Sequence, residues 1–222
     1  LGLINDILEM SRLEQGKISI NYEQCDLKKC IEDCTDVFVH QAEKERKSFC
    51  VSFDIRDRIV LGDFFRIGQI INNLLSNAFK FTPEGGKISL SVKQFNSAEH
   101  SKYQITVSDS GIGMSEDFLN HIFEPYARET RFAAKHIAGT GLGMPIVKSL
   151  VSQMSGQISV ESELGKGSTF TVTLPLETIH ENSATAEESE NTVKAEFNLE
   201  GKKILLAEDN EINMEIATEI LS

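Results

Sequence analysis

The sequence is poor in several things, and each shortage narrows what the chain can be. No apolar run approaches the ~18–20 residues that cross a bilayer. No charged-then-apolar leader opens it, and neither does a methionine. Because it starts in the middle of a helical pattern, it reads as a segment of something longer. Cations are scarce, with 22 lysines and arginines against 34 aspartates and glutamates, a net charge of −12. The resulting field repels nucleic acid and anionic lipid, so nucleic acid is not an expected partner. The four cysteines, Cys25, Cys30, Cys34 and Cys50, show no CxxC or Cys/His ligand spacing. They read as reduced packing thiols of a cytosolic segment.

What is present suits a soluble globular fold: 222 residues, 40% hydrophobic and 25% charged. That is one domain of the usual ~100–200 residues plus fragments. Leu1, Ile4, Ile7 and Leu8 stripe a helix that Gly16 ends, and such a helix belongs with a partner in a hairpin or bundle. Residues 17–26 read as an extended connector. Leu27, Ile31, Cys34, Phe38 and Ala42 recur at helical spacing behind Asp26, a suitable N-cap. Strands are predicted over 48–54 and 58–61, then a long helix over 63–81, then alternating strands over 87–95 and 103–108. A short helix is predicted over 115–123, another over 145–155, and a closing hairpin from 157–162 with 168–174. Helices on one face of a mixed sheet, a two-layer α/β sandwich, is the fold class this order implies. From 178 to 200 the chain turns acidic and poor in large apolar residues, as a flexible linker does. Lys203–Ala207 then reads as a buried strand before a turn at Glu208-Asp209-Asn210 and a broken-off helix.

The chemistry is concentrated on one helix and two glycine turns. A GxxxxGK[ST] loop is absent, which excludes a P-loop. Any phosphate site must therefore work through local N–H groups, a metal and a few placed cations. Asn73, Asn77 and Lys80 share one helix face, at i, i+4 and i+7. Two amide oxygens one turn apart can join phosphate oxygens and water around Mg²⁺, and Lys80 can reach a phosphate as a point charge. Asp109-Ser-Gly111-Ile-Gly113 follows a strand; its carboxylate can accept an adenine amino proton while the glycines let a base approach. Gly139-Thr140-Gly141-Leu142-Gly143 leads into a helix whose exposed N–H groups suit a triphosphate. Each feature also has a plainer reading: a solvated helix face, a turn cap, a hinge. It is their occurrence together, in this order, that favours the nucleotide.

These segments together resemble sensor histidine kinases. Asp63-x-x-Arg66-x-x-Gln69-x-x-x-Asn73-Leu-Leu-Ser-Asn77-Ala-Phe-Lys80-Phe-Thr82 is similar to the family's N box, and Asp109–Gly113 and Gly139–Gly143 to its two glycine boxes. Ile122-Phe123-Glu-Pro125-Tyr resembles the F box, and Gly167-Ser-Thr169-Phe the final hairpin, whose threonine lies near the adenine. The resemblance implies a catalytic ATP-binding domain over 27–177 of the histidine-kinase ATPase fold, taking ATP and Mg²⁺. It also implies the end of the second dimerisation helix at 1–16, a connector at 17–26, a linker at 178–200 and a truncated receiver start at 201–222. That order is a hybrid kinase's. The implied partners are ATP or ADP, a phosphoacceptor helix of the same or a dimer-mate chain, and the receiver domain, with homodimerisation of the full-length protein. The resemblance places this segment in the cytoplasm and leaves membrane anchoring of the parent open.

Two departures shape the expected mechanism. The family's phosphoacceptor histidine sits in a box upstream of residue 1; His40, His100, His121, His136 and His180 have no such context. The receiver start carries Glu208 and Asp209, matching its acidic pair, without the phospho-accepting aspartate of a later strand. Related gyrase and heat-shock ATPases place a water-activating glutamate one turn before the metal asparagine. Asn73 stands there instead, and an amide is no general base. Candidate lid cations are Arg128, Arg131 and Lys135. Three functions stay open on the sequence: phosphoryl transfer to a separate histidine, a nucleotide-binding scaffold, and a hydrolytic ATPase. The intact boxes and Asn73 favour the first.

Overall fold

The computed structural model describes residues 19–96, 101–127 and 140–179, together with Leu8 and residues 10–12. Contacts divide the chain into units 1–181 and 182–222, and all described residues lie in the first. Most of the helix expected over 1–16, the candidate lid cations Arg128, Arg131 and Lys135, Gly139, most of the expected linker, and the expected receiver start with Glu208 and Asp209 lie outside the described residues.

Seven strands form one mixed sheet: β1 (Glu23–Asp26), β2 (Ser48–Asp54), β3 (Ile59–Gly62), β4 (Lys87–Asn96), β5 (Ser101–Asp109), β6 (Gln157–Glu163) and β7 (Gly167–Thr178). The order is β1-β3-β7-β5-β4-β2, with β6 also paired to β7. Only β2 and β4 run parallel; every other pair is antiparallel. Alternation gives the sheet one dry face, lined by Ile88, Leu90, Val92, Tyr103, Ile105, Val107, Phe170, Val172 and Leu174.

Helices α1 (Leu27–Lys44), α2 (Phe64–Phe81) and α4 (Gly143–Gln153) supply the other half of that core, and α3 (Glu116–Leu119) is a single turn. This is the two-layer α/β sandwich expected from the element order. The middle helix, α2, buries Ile67, Ile70, Ile71, Leu74, Leu75, Ala78 and Phe79. Each large apolar side chain so buried stabilises the fold by about 1.5–3 kcal/mol. Phe79 is packed against Phe38 of α1 at 5.2 Å and Phe49 of β2 at 5.5 Å between ring centroids. With its apolar face pinned this way, α2 has to turn its asparagine face elsewhere.

Two details differ from the sequence expectation. The helix predicted over 115–123 stops after Leu119. His121 N–H donates to Phe118 O at 2.9 Å and Glu124 N–H to His121 O at 2.8 Å, tight three-residue turns in place of a helical ladder. Pro125 disfavours helical backbone at Glu124 as well. The connector, in turn, ends as a sheet strand: Glu23–Asp26 pairs with Ile59–Gly62. The four cysteines are free thiols, Cys30 fully buried. Among the described residues no helix is long and apolar enough to cross a membrane.

Candidate functional site

The site is organised by α2. Asp63, 6% exposed, caps its first turn by accepting Arg66 N–H at 3.0 Å. Its other carboxylate oxygen takes Asn21 N–H at 2.9 Å, which ties the connector to this helix. At the far end Lys47 donates to Phe79 O, satisfying a carbonyl of the last turn.

Asn73 and Asn77 emerge half-buried towards the start of α4, and Lys80 is exposed. Both amides are held by their nitrogen ends. Asn73 Nδ2 donates to Gln69 O at 3.0 Å, and Asn77 Nδ2 to the Met144 sulfur at 3.3 Å. A carbonyl and a thioether only accept, so the amide oxygens are the ends left facing away. Asn73 Oδ1 lies against Gly143, where a Cβ would come within 2.8 Å of it. Lys80 Nζ sits 4.8 Å from the Phe81 ring centre.

The first glycine turn is wedged between the end of α2 and the β6–β7 hairpin. Asp109 Oδ1 accepts Gly111 N–H at 2.7 Å, so the aspartate does cap its own turn. Burial pushes its carboxyl above the ordinary aspartate value, while N–H groups of Gly111 and Ser168 pull it back. Ile112 N–H reaches Phe81 O at 3.2 Å and Gly165 N–H reaches Ile112 O at 2.8 Å. A Cβ on Gly111 would meet Phe81 O at 2.6 Å, and one on Gly113, at φ +65°, would meet Glu163 O at 1.9 Å. Thr169 stands beside this turn on β7, its hydroxyl 2.9 Å from that of Ser108.

The second turn begins α4. Thr140 Oγ1 accepts Leu142 N–H at 3.2 Å, Leu142 is fully buried, and Tyr126 N–H donates to Gly141 O at 3.0 Å. Gly141 and Tyr126 both have positive φ, at +71° and +63°. Leu142 precedes the helix without a side-chain cap, and Pro145 has no N–H to cap. The early N–H groups of α4 thus stand next to the asparagine face of α2.

Residues 62–178 match the family described as histidine kinase-, DNA gyrase B- and HSP90-like ATPase. The chain belongs to that family. Among relatives of this ATPase-family chain is the autoinducer 2 sensor kinase/phosphatase LuxQ of Vibrio vulnificus (strain YJ016), 38% identical over 96% of this chain and 25% of that protein. The sensor protein GacS of Pseudomonas syringae pv. syringae is 34% identical over 79% of this chain and 20% of its own length. The chain thus spans about a quarter or less of the curated relatives it matches. Full-length ShkA in complex with AMPPNP superposes with a TM-score of 0.69 at 27% identity, covering 80% of this chain and 36% of ShkA. The catalytic domain of the histidine kinase ThkA gives 0.57 at 26% identity, over 69% and 95% of the two chains. The domain is therefore homologous to the catalytic domains of sensor histidine kinases.

The sequence-derived residues fall into two groups around α2. Asp109, Gly111, Gly113 and Thr169 gather at its C-terminal end, and Gly143 borders Asn73, with Thr140, Gly141 and Leu142 preceding it in the turn. Sequence reasoning missed Met144 and Ser162. Ser162 Oγ joins Met114 N–H at 2.9 Å and Gly167 O at 2.8 Å, bracing the first turn from across the hairpin. Only a contact between segments far apart in sequence could have revealed them.

Proposed function

We propose that residues 27–177 bind Mg-ATP as the catalytic part of a hybrid sensor histidine kinase and present its γ-phosphoryl group to a histidine outside this segment. The observation that carries this is the meeting of two half-buried amides, nitrogen ends already occupied, with an uncapped helix start. In this reading 1–16 ends a dimerisation helix, 17–26 connects, 178–200 links and 201–222 begins a receiver. The partners are ATP and ADP, the phosphoacceptor helix of the same or a dimer-mate chain, and the receiver.

Asp109 accepts the adenine amino group, Gly111 and Gly113 let the base approach, and Thr169 flanks it. Gly139, Thr140, Gly141 and Gly143 offer backbone N–H groups to the phosphates, and Lys80 adds a point charge there. Leu142, its N–H taken by Thr140 Oγ1, shapes the turn. Asn77 and Asn73 turn amide oxygens to the metal. That donor set fits a hard cation that prefers oxygen. Among the described residues no cluster of three His, Cys, Asp or Glu could hold a metal alone, so phosphate and water would complete the shell. Bound there, Mg²⁺ would offset phosphate charge as the γ-phosphoryl group leaves. The chain's part is positioning: Asn73, having no basicity, leaves water unactivated and favours transfer over hydrolysis.

Calorimetric titration with a non-hydrolysable ATP analogue tests this. Binding is expected to tighten with Mg²⁺ and to weaken about 30-fold in Asp109→Asn, the ~2 kcal/mol of one charge-assisted hydrogen bond. A well-folded wild type that binds neither form would replace this reading with a scaffold.

A further inference from the structure

An asparagine ligates a hard cation only through its oxygen, so something must decide which end of the amide faces the metal. For Asn73 the decision is made within α2, by Gln69 O. Asn77 is settled by a different helix: its Nδ2 lies 3.3 Å from the sulfur of Met144, in the first turn of α4. A thioether accepts and cannot donate, so Asn77 must turn its NH₂ to Met144 and its Oδ1 away. Met144 is 8% exposed, so water does not compete freely for that contact.

We propose that Met144 is a positioning residue for the metal site, fixing Asn77 with its oxygen outward through an amide-to-thioether hydrogen bond. The inference rests on the Mg-nucleotide reading above. Two consecutive residues then serve the two asparagines: Gly143 leaves room for Asn73 Oδ1, and Met144 orients Asn77. An aliphatic side chain of similar volume would fill the same space without accepting. The amide could then rotate and point N–H groups at a cation, which opposes binding. The arrangement also links the second glycine turn to the metal. Displacing the start of α4 releases the orientation of Asn77.

The test compares the wild-type chain with Met144→Leu, a swap of similar volume that keeps the packing, and with Met144→Gln, whose carbonyl restores an acceptor. Two readouts are used: calorimetric affinity for the ATP analogue in EDTA and in Mg²⁺, and the Asn77 side-chain amide resonances in the nucleotide-free protein. In Met144→Leu the metal-free affinity should stay within about 2-fold, while the Mg²⁺-dependent gain should shrink about 10-fold, as for lost outer-shell partners of a metal site. The Asn77 amide proton at the sulfur should move upfield, and Met144→Gln should recover part of the gain. Equal losses with and without Mg²⁺, or an unmoved amide resonance, would reduce Met144 to packing and overturn the proposal. A wild type that binds neither form is a different result and defeats the nucleotide reading itself.

Discussion

The two glycine turns look alike in sequence and are built differently. The first, Asp109–Gly113, is held by main chain on both sides: Phe81 O from α2, Glu163 O and Gly165 N–H from the hairpin. The second is held by main chain at Gly141, against Tyr126 and Ala127, but at its α4 end Gly143 meets a side chain, the Asn73 amide, and its next neighbour Met144 meets another. Backbone cannot yield without moving whole elements, whereas an amide can swing about its χ angles at a cost of about 1 kcal/mol. The base-facing end of the proposed site is thus set by the fold. Its phosphate-facing end can adjust.

The largest effect that would sharpen this contrast is on folding. In Gly113→Ala a Cβ must enter a left-handed residue and overlap Glu163 O, so a loss of about 3 kcal/mol or more is expected in urea denaturation. Gly165→Ala is the control, since its φ is +77° but nothing lies within 4 Å. It should cost only about 1 kcal/mol, the backbone penalty alone. Similar losses in both variants would mean that conformation, and not the wedge between elements, explains the first turn.

A smaller effect concerns Asp109 and acidity. Burial raises its folded pKa above the unfolded value, so its contribution to stability is present below the ordinary aspartate pKa of about 3.9 and is lost as pH rises through the folded pKa. Asp109→Asn keeps an Oδ1 acceptor for Gly111 N–H and does not titrate. Measured against pH, its stability should therefore gain on the wild type from about pH 3.9 upward, even as nucleotide binding weakens. A wild type that gains instead would show the loop N–H groups outweighing burial. The rigid turn would then be stabilised by the charge that the proposed ligand needs.

Much of this was legible in the sequence. The spacing of Ile70, Leu74, Leu75 and Ala78 marks the buried face of α2, and so leaves Asn73, Asn77 and Lys80 on another. Strands and both glycine turns followed from alternation and punctuation. What the sequence hid was contact between distant segments. Gly113 and Gly165 are both glycines with positive φ, yet only the first touches another strand's carbonyl. Ser162 reads as a strand serine and is a brace for Met114, 48 residues away. Glu23–Asp26 is too short and polar to announce a strand, and pairs because β3 offers an edge.

Gly143→Ala addresses the adjustable end, and its expected effect on stability is the smallest. The added Cβ would lie 2.8 Å from Asn73 Oδ1, the tip of a side chain that can rotate away. Gly143 opens α4 without a positive φ, and alanine there is favoured over glycine by up to about 1 kcal/mol. Thermal stability should hold or rise slightly. Asn73, however, would be displaced from the face it shares with Asn77, and affinity for the Mg-nucleotide should fall about 5-fold, some 1 kcal/mol. Binding that weakens without loss of stability is what an adjustable turn predicts. If Gly143→Ala instead unfolds the domain as readily as Gly113→Ala, the second turn is as fixed as the first, and adjustment at the phosphates would have to come from elsewhere.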